Sequence, residues 1–228
     1  MSMSQIKTGT TLRGAKGAVR AAWPLHSATR PSHFARGRKK SLTDPSGVHY
    51  TWDPQNRLSK VEQGNTPIAA YGYDPFNRRL WKDTGGTKTW YHYSDEGLIA
   101  EYNESGALIQ TYGYAPDSVW GTDPLYLYLQ ANHSYYFYQN DRLGAPQKLT
   151  TMSGAQVWSA SYDAYGEATL DAATLTNNLR YPGQYYDQET GLHYNWNRYY
   201  DPQSERYLSR DPIGLDGGLN TYVCLRQQ

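Results

Sequence analysis

The sequence predicts an all-β fold built from repeated β-hairpins, and two observations support this class. Short aromatic-rich runs recur from residue 45 onward, and each run ends in a turn rich in Asp, Asn or Gly. The first tyrosines of four successive units, Tyr50, Tyr71, Tyr91 and Tyr112, lie 20 or 21 residues apart. Self-similarity at this spacing indicates a stacked or coiled repeat architecture.

Residues 1–44 form a separate, basic segment. They hold nine Lys or Arg and one acidic residue, whereas all 23 tyrosines lie from Tyr50 onward. No period of 2 or 3.6 residues persists in this segment, so we expect a solvated, disordered tail. The basic run at residues 36–40 leaves a patch for nucleic acid or another anionic surface as the alternative. The segment lacks the continuous apolar core of a secretory signal.

Composition excludes several classes of protein. Lys and Arg total 22 against 21 Asp and Glu, so net charge favours no particular partner. The single cysteine, Cys224, excludes an internal disulfide. No apolar run approaches the roughly 20 residues that a membrane-spanning helix needs.

Each repeat unit can be interpreted as a hairpin. Tyr71 and Tyr73 are two residues apart and therefore point to the same face of an extended strand. Asp-Pro then ends the strand, and Asn56 or Asn77 at the next corner tolerates positive φ. Further turn clusters at residues 83–86, 103–106 and 152–154 predict additional hairpins. Alternation around Trp158 indicates a half-buried strand.

Two stretches depart from this pattern. Residues 115–135 contain Pro116 and Pro124 and break the period, which indicates an insertion or an altered unit at a position that the pattern does not fix. Residues 170–179 are the one stretch where a short helix is expected, with Asp171 or Thr174 as its cap.

The last segment carries the most specific motifs. Tyr185-Tyr186-Asp187 and Tyr199-Tyr200-Asp201 precede Asp211-Pro212-Ile213-Gly214-Leu215. With these motifs, residues 45–223 resemble the RHS/YD-repeat family of polymorphic-toxin and teneurin-like shells. Residues 136–166 and 180–222 match best, and the latter look like the family's repeat-associated core. The resemblance implies a basic tail (1–44), YD repeats (45–179), an associated core (180–223) and a tail outside the family pattern (224–228).

The resemblance also implies a function. In this family a strip of YD hairpins spirals into a hollow shell, which the associated core closes around a C-terminal toxin. We therefore expect a non-enzymatic structural shell fragment whose partners are the remaining shell or toxin domain, with secretion machinery and an immunity protein. The implied location is the bacterial cytoplasm before delivery, or the secreted or cell-surface state of a full-length parent.

Asp211 is the candidate catalytic residue. The family releases its toxin by self-cleavage, in which two carboxylates share a proton, and Asp211 matches the first of them, with Arg210 beside it. The second Asp-Pro-x-Gly-Leu motif is missing, so we expect neither cleavage at Leu215 nor a complete dyad. An ordinary turn role for Asp211 is the simpler interpretation. The enzymatic alternative is an autoproteolytic segment whose second carboxylate comes from Asp201, Asp216 or a partner chain.

Other chemistry has weak support. The six histidines lie far apart in sequence, without metal-ligand spacing, so no metal and no cofactor are expected. Cys224 lacks a nearby histidine and is interpreted as incidental rather than nucleophilic. The Tyr and Trp faces leave a cell-surface or carbohydrate-binding module as a third alternative, although packing in a two-faced sheet explains the same residues.

Overall fold

The structure is a computed structural model that describes residues 41–212, Gly214 and Tyr222. These residues contain 17 β-strands in two antiparallel sheets, which confirms the predicted all-β class. The strand bounds are β1 Ser41–Thr43, β2 Val48–Trp52, β3 Leu58–Gln63, β4 Thr66–Tyr73, β5 Arg79–Thr84, β6 Thr87–Tyr93, β7 Leu98–Tyr102, β8 Leu108–Tyr114, β9 Pro124–Leu129, β10 Ser134–Asn140, β11 Pro146–Thr151, β12 Gln156–Tyr162, β13 Ala168–Ala173, β14 Tyr185–Asp187, β15 Leu192–Asn195, β16 Arg198–Asp201 and β17 Arg206–Tyr207.

Strand order follows chain order in both sheets. Strands β1 to β13 form one sheet in which each strand pairs with its sequence neighbour, and β14 to β17 form a second sheet in the same way. The first sheet is therefore an unbroken series of hairpins, here called the repeat sheet. The second is here called the closing sheet. The repeat sheet begins at Ser41, three residues before the boundary at residue 44 that composition predicts, because Ser41–Thr43 pair with β2.

Aspartate side chains shape the turns along one rim of the repeat sheet. The Asp74 carboxylate accepts hydrogen bonds from the backbone amides of Phe76 and Arg78, both at 2.8 Å. Asn77 then adopts a φ of 67°, as the turn interpretation requires. The same arrangement closes the turns that begin at Asp53, Asp141 and Asp163. The aspartate that follows each of these four strands therefore has a structural role in closing its hairpin turn.

Glycine between two tyrosines serves packing on the opposite strand. A Cβ added at Gly72 would lie 2.1 Å from Nε1 of Trp81, whose indole covers this glycine. A Cβ at Gly113 would meet the ring of Tyr126 at the same distance. In each Tyr-Gly-Tyr motif the tyrosines point to the other face, which we call the inner face because it packs against the closing sheet.

Successive hairpins are joined by a recurring hydrogen bond between strand ends. The last residue of an even-numbered strand donates to the backbone carbonyl of the first residue in the preceding strand. The bonds are Tyr73 to Leu58 (2.6 Å), Tyr93 to Arg79 (2.9 Å), Asn140 to Pro124 (2.9 Å) and Tyr162 to Pro146 (2.9 Å). In three of these four bonds the donor is a tyrosine hydroxyl, which ties the end of its strand to the neighbouring strand.

The helix expected at residues 170–179 is absent from the described structure, and that prediction was wrong. Residues Ala168–Ala173 form β13, which pairs with β12 from Tyr162↔Ala168 to Trp158↔Ala173. Pairing satisfies the backbone groups along β12, and this ladder outweighs a weak helix propensity.

Residues 115–135 contain an irregular loop and an ordinary strand. The loop spans residues 115–123, and β9 then pairs with β8 and β10 without interrupting the sheet. The broken period therefore reflects a longer connection between β8 and β9.

The core lies between the inner face of the repeat sheet and the closing sheet. Aromatic rings meet there directly, with Tyr71 5.2 Å from Tyr199 and Tyr91 5.6 Å from Tyr185 between ring centroids. The largest fully buried side chains include Trp158, Arg79 and Tyr200. Among the described residues, no helix is long and apolar enough to cross a bilayer.

Candidate functional site

A buried ion pair joins the two sheets. Arg79, the first residue of β5, donates from Nη1 to Asp187, the last residue of β14, and their side chains are 1% and 0% exposed. Nζ of Lys82 lies 2.9 Å from Oδ1 of Asp187 and 3.1 Å from Glu189. Two cations therefore face two carboxylates, and the cluster carries no excess charge.

Tyrosine rings enclose the Arg79 guanidinium. Five ring centroids lie 4.5–6.0 Å from its central carbon, those of Tyr71, Tyr91, Tyr185, Tyr194 and Tyr199. Three of these rings belong to the closing sheet, so the cage exists only when the sheets are together. Cation–π attraction strengthens as water is removed, and it helps to offset the cost of burying the charge.

The Arg79 guanidinium and the tyrosine hydroxyls around it each keep one protonation state at neutral pH. Burial alone would lower the pKa of Arg79, but Asp187 raises it well above its usual value, so the guanidinium stays charged. Burial raises the pKa of Tyr71 and of Tyr91 well above the usual value; the charge of Asp187 adds to this effect, and the charge of Arg79 opposes it. These hydroxyls stay neutral, so the cluster is suited to holding the sheets together rather than to proton transfer.

A second buried carboxylate also connects the sheets. Glu101 on β7 accepts hydrogen bonds from Gln110 Nε2 (2.9 Å), the Tyr112 hydroxyl (2.7 Å) and the Tyr185 hydroxyl (3.2 Å). Tyr185 belongs to the closing sheet and contributes to both clusters. Three donors compensate for the burial of Glu101, which is 4% exposed.

The loop at residues 115–123 straps the two sheets together. Trp120 stacks on Tyr93 of the repeat sheet at 5.5 Å and lies 4.3 Å from Trp196 in the turn between β15 and β16. Gly121 donates to the Glu96 carbonyl (2.6 Å) and accepts from the Gly183 amide (3.2 Å). The approach is close enough that a Cβ at Gly121 would lie 2.8 Å from the Cα of Gly183.

Asp211, the predicted catalytic residue, is paired with a cation. Its Oδ2 lies 3.0 Å from Nη2 of Arg198, and both side chains are 16% exposed. The Asp211 carbonyl also accepts from the Gly214 amide (3.0 Å), which is consistent with the turn interpretation. Arg198 in turn lies over the ring of Tyr207, 3.6 Å from its centroid.

The residues proposed as partners of Asp211 lie in different settings. Asp201 caps the turn between β16 and β17, accepting from the Ser204 hydroxyl (2.6 Å) and the Gln203 amide (3.1 Å). Arg210 Nε lies 3.2 Å from the Tyr222 hydroxyl. Asp216, Leu215 and Cys224 fall outside the described residues. The catalytic role of Asp211 therefore stays a prediction.

The described histidines form no metal site. His193 is 2% exposed and donates from Nδ1 to Gln184 Oε1 (2.6 Å). Burial, with the nearby Arg180, lowers the pKa of His193 to about 4, so its imidazole is neutral. In the part of the chain that the structure describes, no group of three His, Cys, Asp or Glu side chains is arranged to hold a metal ion.

Known proteins share this sequence pattern. The family model described as "RHS protein" matches residues 136–171. Double-stranded DNA deaminase toxin A of Burkholderia cenocepacia (strain H111) is 34% identical over 205 residues, which are 76% of this chain and 14% of that protein. The tRNA3(Ser)-specific nuclease WapA of Bacillus spizizenii is 30% identical over 221 residues, 92% of this chain and 9% of that protein. The chain thus spans a small share of both relatives.

A solved structure shares the fold. The crystal structure of TcdB2-TccC3 matches with a TM-score of 0.60 at 23% identity, covering 79% of this chain and 10% of that one. At this identity the likeness concerns the fold alone. The motifs, the family model and the toxin-named relatives lead to one conclusion: the chain is a toxin-related member of the RHS family.

Proposed function

We propose that the chain is a structural segment of an RHS-type toxin shell. The observation that carries this proposal is the buried interface around Arg79 and Asp187, where the closing sheet covers the inner face of the repeat sheet. Its charges are matched and its tyrosine hydroxyls stay neutral, so its chemistry suits sealing rather than turnover. We infer that the deaminase and nuclease activities named for the relatives belong to parts of those proteins outside the matched segment.

The two sheets would have different structural roles in such a shell. Residues 45–179 would form a strip of shell wall, and residues 180–223 would close it from the inside. In a parent protein this arrangement would enclose and present a C-terminal toxin, with the remaining shell and the toxin domain as direct partners. Secretion machinery and an immunity protein are partners that the family resemblance implies.

The two alternatives have less support. An autoproteolytic role needs a second carboxylate at Asp211, and the carboxylate of Asp211 is ion-paired with Arg198. A carbohydrate-binding role rests on the aromatic residues, and many of them pack in the core, including Tyr71, Tyr91 and Tyr112.

A segment exchange tests the proposal. Residues 45–223 would replace the matching segment of the Burkholderia cenocepacia relative, and the survival of its toxin part under added protease would be measured. We expect the toxin part of the chimera to resist digestion, and we expect Asp187→Asn, which breaks the seal, to expose it. Lys60→Met, at a solvent-facing ion pair, serves as the matched control. A chimera that folds yet leaves its toxin as sensitive as free toxin would rule out encapsulation by this segment.

A further inference from the structure

The hydrogen bond between strand ends has one exception in the repeat sheet. From β4 to β12, four of the five even-numbered strands donate from their last residue to the first carbonyl of the preceding strand. The fifth is β8, which ends at Tyr114, and its expected acceptor is the Leu98 carbonyl at the start of β7. The Tyr114 hydroxyl is instead buried without a protein partner among the described residues.

A shorter turn accompanies the exception. The other short turns on this rim close over five residues, as in the bond from the Asp74 amide to the Arg78 carbonyl. Between β6 and β7 the turn closes over four, from the Ser94 amide to the Gly97 carbonyl. The register of β7 against β8 matches that of the other pairs, since Leu98 lies opposite Gly113 as Leu58 lies opposite Gly72. The difference at Tyr114 is therefore local to the end of β8.

The missing bond lies beside a cavity. The cavity has a volume of about 30 Å³, and both Leu98 and Tyr114 line it. The strap residues Trp120 and Gly121 line it as well. The Gly121 amide donates a hydrogen bond to the Glu96 carbonyl, which holds the strap against the short turn. Arg79 and Tyr91 also line it, and Nε of Arg79 and the Tyr91 hydroxyl are likewise buried without a protein partner among the described residues.

The volume of the cavity and the net charge around it determine which kind of ligand it can hold. A water molecule needs on the order of 10–15 Å³ of such space and two or more polar partners, so this cavity has room for about two. The Arg79 guanidinium is already neutralised by Asp187, and Lys82 faces both Asp187 and Glu189, so no net positive charge remains to attract an anion. A neutral molecule that both donates and accepts fits these conditions.

We propose that this cavity is a specific hydration site, in which ordered water takes the place of the carbonyl that the repeat supplies elsewhere. One water bonds to the Tyr114 hydroxyl, and one accepts from Nε of Arg79. The site lies where the strap joins the two sheets, so water forms part of this junction. The inference is independent of the proposed shell function.

A high-resolution crystal structure of the chain tests the proposal directly. We expect electron density for ordered water within hydrogen-bond distance of the Tyr114 hydroxyl and of Arg79 Nε. A well-ordered cavity without such density, or density for an ion or a larger molecule, would overturn it.

Thermal unfolding of Tyr114→Phe gives a second, independent test. If water binds the hydroxyl, its removal loses a hydrogen bond and the Tm falls by roughly 2–4 °C. Tyr162→Phe, which loses a direct bond to the Pro146 carbonyl, is the matched control and should show a similar fall. If the hydroxyl is unpaired, the nearly isosteric phenylalanine relieves a buried polar group, and an unchanged or higher Tm would contradict the proposal.

Discussion

Arg79 and Asp187 form an ion pair that is almost completely shielded from bulk solvent, although they lie 108 residues apart in sequence. Arg79 begins a strand of the repeat sheet, and Asp187 ends a strand of the closing sheet. The pair can therefore form only when the two sheets are packed together. Its removal offers a direct way to separate the stability of the repeat sheet from its packing against the closing sheet.

Neutralising one partner of this pair should be strongly destabilising. Asp187→Asn leaves the buried Arg79 without its carboxylate partner, while Lys82 keeps Glu189, and we expect a loss of about 3–5 kcal/mol in the free energy of unfolding. Arg79→Met with Asp187→Leu together should cost less than the sum of the single changes, because no unpaired charge remains. Chemical denaturation measures both.

The control for this experiment is a solvent-facing pair. Lys60 and Glu62 lie 2.7 Å apart with side chains 43% and 21% exposed, so Lys60→Met should cost about 0–1 kcal/mol. Equal losses in the free energy of unfolding for Lys60→Met and Asp187→Asn would show that the buried pair contributes no more to stability than an exposed pair.

Acid should weaken the fold through His193. Its pKa is about 4 in the folded chain, against an ordinary value of 6.5, mainly because of burial. The unfolded chain therefore binds the proton first, and stability falls as the pH drops from 6.5 towards 4, by about 3 kcal/mol in total. Denaturation midpoints measured between pH 7 and pH 4.5 should show this slope, and His193→Gln should flatten it.

Glu189 acts in the opposite direction within this window, at pH values above 4.5, and the comparison with His193→Gln cancels its contribution because both proteins keep Glu189. Burial and the charge of Asp187 raise the pKa of Glu189 above its usual value of 4.5, so its protonation favours the folded state. Identical slopes for wild type and His193→Gln above pH 4.5 would show that His193 does not titrate with unfolding.

The strap can be tested at its closest contact. Gly121 has a φ of 67°, and a Cβ there would lie 2.8 Å from the Gly183 backbone. Gly106 has a similar φ of 80° but nothing within 4 Å of an added Cβ. Alanine at either site costs about 1–2 kcal/mol for the left-handed conformation, so a greater loss at Gly121 measures the contact itself.

Hydrogen exchange locates the effect. In Gly121→Ala we expect faster amide exchange at the strap and at Gly183, with the hairpins from β2 to β5 unchanged. Equal losses and equal exchange for Gly121→Ala and Gly106→Ala would show that the strap does not hold the sheets together.

Local features of the fold could be predicted from sequence, whereas contacts between the sheets could not. Asp74 and Asn77 predict a turn because the hydrogen bonds and backbone conformations that they favour involve only a few neighbouring residues. Arg79 gives no comparable signal, since a strand-initial arginine in a polar motif resembles an exposed one until Asp187 is brought to it. The strap could not be predicted for the same reason, because Trp120, Gly121 and Gly183 are brought into contact only by the fold.

The failed helix at residues 170–179 has a related cause. The sequence shows a weak local helix propensity, whereas the free edge of β12 exists only in the folded sheet. Pairing with β13 satisfies the backbone groups along that edge. Cavities are equally invisible in sequence. The short turn before Leu98 can be counted in the sequence, but only the structure shows that the Tyr114 hydroxyl is buried without a protein partner among the described residues.

Asp211→Asn decides between the structural and the autoproteolytic interpretation of the closing segment. The Asp211 carboxylate is ion-paired with Arg198 through Oδ2, and the structural interpretation requires no second acid beside it. We therefore expect the intact mass of the wild-type chain to stay constant at mildly acidic pH, and Asp211→Asn to leave it unchanged while costing about 1 kcal/mol or less. Asp201→Asn, in a turn, is the matched control. A clean cut near Leu215 in wild type that Asp211→Asn abolishes would show that this segment is a protease.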